Sequence, residues 1–369
     1  MRPLSSTPLD IRGMGEAAYS LPLWQQYEMR DLIAPANGDR DSLAYWSDTG
    51  RTYAVDELRR RRTQAGHLAL VEEAGTRLND SDLTLWGRPE ADTDVSPVPG
   101  PNGLQGYRIT HPSGDADTRI AQLMGSAATH TISFWARMDT PGDLQIRVGA
   151  STVLTVNATT EWQHFSHTLT IGEESFWNIY AGPLAGYTPT ELAGVQVEQH
   201  PYPTSWIPGP GTARAACDVE TSVITQNKGL LLFPFRRPYA LTGSEQFRLY
   251  EASGGPSDLL INVNPTGTIS TQIEGVGMGS TPAVDVTDWN IYGYAWNNGA
   301  ARVFLNGTKE ITASVADPIG STVAFLYHGP FSANRYLNGV GGALQREGHS
   351  FTDDQIAAIM ADELARLPA

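Results

Sequence analysis

Few side chains in this sequence stand at spacings that do chemistry. A retaining glycanase on a sandwich scaffold needs two carboxylates about 5–5.5 Å apart. One strand commonly supplies both, as Glu-x-Asp-x-x-Glu. The nearest match, Glu90-Ala91-Asp92-Thr93-Asp94-Val95, lacks the final Glu and lies in a Pro-rich stretch, so it reads as solvated loop acids. His164 and His167 are three apart in a segment of strand character, which puts them on opposite faces and separates them as metal ligands. The single Cys217 excludes an internal disulfide framework and a thiolate zinc site, and reads as a small buried residue. The sequence contains no Gly-x-Ser-x-Gly elbow, phosphate loop or His-Glu-x-x-His motif. These residues indicate a binding or structural protein and not an enzyme. A polysaccharide depolymerase is an alternative that requires a converging carboxylate pair.

The elements that must position any site are set by composition first. The chain has 369 residues, enough for two or three domains with their own cores. Hydrophobic residues make up 40% and charged residues 18%, a globular balance, while 37 Gly and 24 Pro predict many turns and a mainly β fold. A formal net charge of -15 opposes binding to a phosphate backbone, so nucleic acid is excluded as a partner. No window approaches the ~20 apolar residues that span a bilayer, and residues 1–30 lack a secretory pattern. No membrane insertion and assembly in a cytoplasm are therefore expected.

Residues 194–219 (GVQVEQHPYPTSWIPGPGTARAACDV) begin as a strand, with Val195 and Val197 alternating against Gln196 and Glu198. They then meet Pro201, Pro203, Pro208 and Pro210, which no sheet interior accepts. One module ends here and another begins. Upstream, residues 80–195 carry period-two strands at 131–137 (TISFWAR), 144–148, 152–156 and 161–170. In the first of these, Ile132, Phe134 and Ala136 face one way and Thr131, Ser133, Trp135 and Arg137 the other, as in a half-buried strand. Downstream, residues 229–235, 245–251, 259–264, 268–274, 290–296, 301–305 and 321–327 read as seven short strands. Asn306-Gly307 suits a tight hairpin turn that needs positive φ. From Ser350 the pattern changes to a capped helix with acids in its first turn and a stripe of Ile356, Ile359, Met360 and Leu364. This stripe is expected to dock on the second sandwich. Residues 1–79, punctuated by Pro and Gly, read as an extended arm with short helices near residues 23–32 and 55–62. The run Arg59 to Arg62 is a solvated or inter-subunit face, with an anion site as the sharper alternative.

Several of these motifs, taken in order, resemble those of tailed-bacteriophage virion proteins. The junction from Thr204-Ser205-Trp206-Ile207-Pro208 to Asp218-Val219 is similar to the one between a carbohydrate-binding-module-like jelly roll and a concanavalin A-like (laminin G-like) domain. The TISFWAR strand and Glu161-Trp162-Gln163 resemble the jelly roll. Trp289 to Trp296 followed by ARVFLNG resembles the laminin G-like signature. Residues 44–51 and 66–78 are similar to the leader of the same proteins, although Gly75-Thr76-Arg77 departs from its pattern.

The resemblance implies two tandem antiparallel β-sandwiches with an extended, partly helical N-terminal arm and a short C-terminal helix. The implied domains are a virion-docking arm (1–79), a jelly roll (80–200), a linker (201–216), a concanavalin A/laminin G-like sandwich (217–350) and a packed helix (351–369). It further implies a homotrimeric spike or fibre on a virion, held to other virion proteins by its N-terminus and attaching to host surface polysaccharide. A capsid or tail decoration protein is the alternative. Modules of this kind bind sugars by stacking a pyranose face on an exposed ring, for which Trp86, Tyr107, Trp177 and Tyr180 are the candidates. The competing reading of each is a core or rim aromatic. Laminin G-like domains often bind calcium, for which Asp285 and Asp288 are weak candidates. No other cofactor is expected.

Overall fold

The computed structural model describes residues 22–32, 44–46, 51–53, 60–61, 68–71, 75–79, 82–88, 93–110, 119–124, 127–173, 175–180, 188–200, 203, 206–207, 213–214, 219–241, 243–254, 258–327, 337 and 339–367. Cys217 and Glu90 to Asp92 lie outside them. The described chain is mainly β, with antiparallel pairing throughout.

The first sandwich packs a five-stranded sheet on a four-stranded one. The five-stranded sheet runs Gln163–Ile171, Ala128–Met138, Thr190–Glu198, Gln105–Thr110, Asp94–Pro99. The four-stranded sheet runs Ser151–Ala158, Gly142–Val148, Ser175–Tyr180, Arg119–Met124. Period-two side chains from both meet in one core, including Ile132, Phe134, Ile146, Trp177, Ile179 and Val197. The expected half-buried TISFWAR strand is buried on both faces. Trp162 and Trp206 pack over Trp135, and Thr131 hydrogen-bonds the His200 carbonyl at 2.7 Å, so neighbouring segments cover the face that would otherwise meet water. Asp94 and Val95, read as loop, open the edge strand Asp94–Pro99. Pro97 and Pro99 are tolerated there because an edge strand leaves one row of backbone groups unpaired.

The second sandwich joins a six-stranded sheet, from Val219–Thr221 to Val276–Ser280, to a nine-stranded sheet centred on Lys228–Arg236. Leu231, Phe233 and Phe235 face the inter-sheet core, whereas Leu230 and Leu232 face outward, where the C-terminal helix Asp353–Arg366 covers them with Ile356, Ile359 and Met360. Thr352 caps this helix: its hydroxyl accepts from Gln355 N at 3.2 Å, and Gln355 Oε1 accepts from Thr352 N at 2.9 Å. Asn306 (φ 49°) and Gly307 (φ 88°) form the hairpin turn that their residue types require.

Parts of the 1–79 stretch belong to this second sandwich. Arg30–Asp31 pairs with Leu344–Glu347, and Leu68–Val71 pairs with Gly339–Gly342. Met29 and Leu32 are buried in its two hydrophobic clusters, and Leu68 packs against Val340 and Trp289. Of the helix expected near residues 23–32 only Leu23–Gln26 forms. Glu28 takes φ 52° and the chain turns into a strand. Of residues 55–62 the structure describes Arg60–Arg61, which are strand and not helix, paired with Leu68–Val71. The first sandwich is therefore inserted between strands of the second. The chain enters it along Gly75–Thr76 and leaves it along Ala213–Arg214, and these two segments pair with each other.

A buried polar knot closes the base of the insertion. Arg77, fully buried, donates Nε to the Asn79 carbonyl at 3.0 Å and Nη1 to the Ile207 carbonyl at 2.5 Å, with Trp206 under its guanidinium. Asn79 donates to the Val195 carbonyl and accepts from Val197 N, while Gln196 Oε1 accepts from Ile207 N. Buried polar groups are tolerated only when satisfied, so these bonds bind three chain segments into one arrangement. Asn79 heads a sequon but is a fully buried structural residue.

Two stability predictions follow from this packing. Leu68→Ala removes a fully buried side chain and should cost about 2–5 kcal/mol in denaturant unfolding. An unchanged midpoint would show that the segment is dispensable to the second sandwich. Arg77→Ala strips donors from two buried carbonyls and should cost about 2–3 kcal/mol or more. Wild-type stability of that variant would remove the knot from the account of the junction.

Candidate functional site

The site begins with the strand Ser175–Tyr180, read SFWNIY. Its alternation sends Trp177 and Ile179 into the core and Phe176, Asn178 and Tyr180 to the outer face of the four-stranded sheet. Register places Arg147 opposite Asn178 and Gln145 opposite Tyr180 on one side, with Ala121 opposite Asn178 and Arg119 opposite Tyr180 on the other. An aromatic ring, an amide and two guanidinium groups thus share one surface.

That surface leads into a pocket of about 510 Å³ lined by Gly87, Arg88, Arg119, Ala121, Gly149, Phe176 and Asn178. One wall is the segment after the short 3-10 helix Leu83–Leu85. Asp82 caps that helix by accepting from Thr84 N (2.9 Å) and Thr84 Oγ1 (2.6 Å). The same hydrogen bonds hold the Asp82 carboxyl below its ordinary range. Gly87 then exchanges two backbone hydrogen bonds with Ala121, 2.8 and 2.9 Å, which tack the wall to the sheet edge. The opposite end is the two-residue turn after Gly142–Val148, where Gly149 adopts φ 57° and donates to the Phe176 carbonyl at 2.9 Å. The positive φ explains the glycine.

Phe176 is 53% exposed and Leu85 67%, so both offer apolar area to solvent beside the pocket. Asn178 is fixed by donation to the carbonyls of Phe176 (3.2 Å) and Gly149 (3.4 Å), which leaves Oδ1 as an acceptor. Arg88 donates to the Thr84 carbonyl at 3.0 Å and is otherwise exposed. Tyr180 lies between two guanidinium groups, Arg147 at 4.1 Å and Arg119 at 5.3 Å from its ring, and its hydroxyl accepts from Arg119. Arg147 is held in turn by Gln145 at 2.8 Å. No carboxylate lines this pocket among the described residues, so it can stack and hydrogen-bond a polyhydroxylated ligand but has no general acid or base.

The structure corrects the exposure expected of the four sequence candidates. Trp86, Tyr107 and Trp177 lie in the first sandwich core, at 3%, 8% and 0% exposure. A ring face covered by protein cannot take a pyranose. Tyr107 hydrogen-bonds Asp82, and burial together with that nearby charge pushes its hydroxyl pKa up. Tyr180 is the one of the four on the candidate face, but its flanking arginines cover it to 4% exposure. The exposed ring is Phe176, which sequence reading passed over. The signal was available, because Trp177 and Tyr180, three apart on a strand, have to face opposite ways, whereas Phe176, Asn178 and Tyr180 share a face.

Asp285 and Asp288 brace their own turn. Asp285 Oδ1 accepts from Thr287 N and Oγ1 at 2.9 and 2.7 Å, which lowers its carboxyl pKa, and Asn290 Nδ2 donates to the carbonyls of Asp285 and Asp288. Among the described residues no three His, Cys, Asp or Glu side chains converge to hold a metal ion. His164, whose ring lies tilted against Trp135, and His167 take opposite faces of their strand. No helix among the described residues is long and apolar enough to cross a membrane.

No protein-family model matches the chain, and no curated protein does. Similar solved structures include domain 4 of AbnA, a GH43 extracellular arabinanase from Geobacillus stearothermophilus, in complex with arabinotriose. It is 12% identical over 39% of this chain and 73% of that one, at a TM-score of 0.32. A CBM4 structure is 26% identical over 29% of this chain and 78% of that one, at 0.24. The CBM40 of Ruminococcus gnavus IT-sialidase bound to α2,6 sialyllactose is 15% identical over 37% of this chain and 84% of that one, at 0.29. These scores are low, and the functional reading rests on the residues.

Phe176→Ala removes an exposed side chain and should leave unfolding within about 0.5 kcal/mol of wild type. A large loss of stability would reassign Phe176 to the scaffold and end its role as an open ring.

Proposed function

We propose that the protein is a non-catalytic glycan-binding protein and that sugars dock on the outer face of the first sandwich around Phe176. The observation that carries this reading is the combination of an exposed ring, a pre-fixed amide acceptor and arginine donors beside a 510 Å³ pocket. A pyranose presents an apolar face to a ring and hydroxyls at its edge, which is the pattern these groups complement. A hydrolase would need paired carboxylates, and among the described residues none line this pocket.

The finer reading is a phage virion spike or fibre, of head or tail, that attaches to host surface polysaccharide. It is supported by the sequence resemblance of the 194–219 junction and of the ARVFLNG hairpin to virion proteins. On this reading residues near the N-terminus anchor the protein to other virion proteins, and homotrimeric copies multiply weak sugar contacts by about 10²–10⁴ in avidity. A decoration or connector protein stays as the second reading, because Leu85 and Phe176 also offer apolar area to a protein partner.

The test is binding of full-length protein to host cells before and after enzymatic removal of their surface polysaccharide, with Phe176→Ala in parallel. Stripping should abolish binding, and the variant should bind about tenfold more weakly, ~1.4 kcal/mol. Binding that survives stripping would overturn the glycan reading in favour of a protein receptor.

A further inference from the structure

Charge around the Phe176 pocket is one-sided, although the chain as a whole is acidic, with 40 Asp and Glu against 25 Lys and Arg. Elsewhere in the described fold, arginines commonly meet carboxylates. Glu191 takes Arg108 and Arg137, Glu251 takes Arg248, Asp353 takes Arg302, Glu28 takes Arg346 and Asp362 takes Arg366.

The three arginines of the Phe176 face have no such partner among the described residues. Arg88 donates to the Thr84 carbonyl, Arg119 to the Tyr180 hydroxyl and Arg147 to Gln145 Oε1, and all three acceptors are neutral. Arg119 Nε is buried with no hydrogen-bond partner. Asp143 is the one acid in the four strands of this sheet, and it accepts from Asn157 at 3.3 Å. It lies four residues along its strand from Arg147, a rise of ~13 Å. That exceeds the Debye length of about 8 Å in physiological salt, so Asp143 does little to neutralise the face. Glu173 is exposed in the bend before Ser175–Tyr180 and does not line the pocket.

Unmatched guanidinium groups beside an open ring define the ligand more closely than a ring alone. A neutral sugar offers hydroxyls, which donate as readily as they accept. A carboxylate or sulfate only accepts, and its charge-assisted bonds to arginine are the stronger kind, often bidentate. Arg88 and Arg119 both line the pocket, so one anionic group reaches both. Asn178 Oδ1, the acceptor left over at this site, takes a hydroxyl of the same ligand.

We infer that the Phe176 pocket selects acidic glycans, holding a carboxylate or sulfate between Arg88 and Arg119 while a sugar ring stacks on Phe176. The saccharide part rests on the glycan-binding reading of this pocket, whereas the preference for an acid rests on the unmatched arginines. Stacking supplies affinity common to all sugars, and charge decides among them.

Titration calorimetry of the full chain tests it with an oligouronide, a sulfated oligosaccharide, a neutral oligosaccharide of matched length and an oligoglutamate. At least one acidic sugar should bind about tenfold more tightly than the neutral one, and the tighter of the two names the anion. Arg88→Gln, at an exposed position, should cut the acidic-to-neutral ratio about fivefold, whereas Phe176→Ala should weaken both sugars and keep the ratio. Lys309→Gln, an equal change of net charge on the second sandwich, should not move it. On the wild type, raising salt from about 0.05 M to about 0.5 M should erase the acidic advantage, a readout that needs no variant to fold.

Equal affinity for acidic and neutral sugars would overturn the acid preference and leave the glycan reading standing. Absence of binding to any sugar would overturn both. An advantage that survives Arg88→Gln combined with Arg119→Gln, or that falls as far in Lys309→Gln, would put the anion elsewhere and overturn the assignment. Oligoglutamate binding as tightly as the acidic sugars would make this a site for an acidic protein segment and overturn the saccharide part.

Discussion

A guanidinium with no access to water sets the plan of this molecule. Arg77 sits where the chain passes from the second sandwich into the first, and its donors reach the carbonyls of Asn79, two residues on, and Ile207, after the whole first sandwich has been traversed. A buried charge of this kind has no cheap alternative partner, so entry and exit segments are held in one register. The Gly75–Thr76 and Ala213–Arg214 pairing continues the clasp toward the second sandwich. Asn79 extends it inward by occupying both a donor and an acceptor of the closing strand Thr190–Glu198.

With its base fixed, the first sandwich can carry a site on its far sheet. The closing strand lies in the five-stranded sheet, whose outer side is covered by Trp206, Trp162 and the junction itself. On the outer face of the four-stranded sheet Phe176 is open to solvent, beside the buried Asn178 and the arginine-covered Tyr180. Backbone braces two walls of the pocket beside them, through the Gly87–Ala121 bridge and the Gly149 turn, while Arg88, Arg119, Phe176 and Asn178 complete its lining.

The second sandwich uses its flanking segments differently. Residues before the insertion supply an edge pairing for Leu344–Glu347 and for Gly339–Gly342, and the C-terminal helix covers the outward leucines of Lys228–Arg236. The outward leucines are thereby kept from solvent, which removes an exposed apolar face. The seam at residues 221–226 and 345–348 is polar, with Gln345 donating to Glu347 and with Arg30 and Arg346 paired to Glu347 and Glu28.

Periodicity and turn chemistry in the sequence by themselves determined the β class, most strand positions, the Asn306-Gly307 hairpin and the capped C-terminal helix, because each depends on residues within a few positions of one another. The junction was legible as a boundary from its prolines. Only tertiary structure decided that Arg30–Asp31 and Leu68–Val71 serve the second sandwich, since strand pairing across 268 to 315 residues leaves no local mark. It also decided which aromatic is open. Trp86, Tyr107 and Trp177 carry the same apolar signal as Phe176, and exposure is set by what packs on a ring, which no stretch of sequence states by itself. The Asp285 turn makes the same point for acids, because a carboxylate that caps its own backbone and one free to bind an ion are identical in sequence.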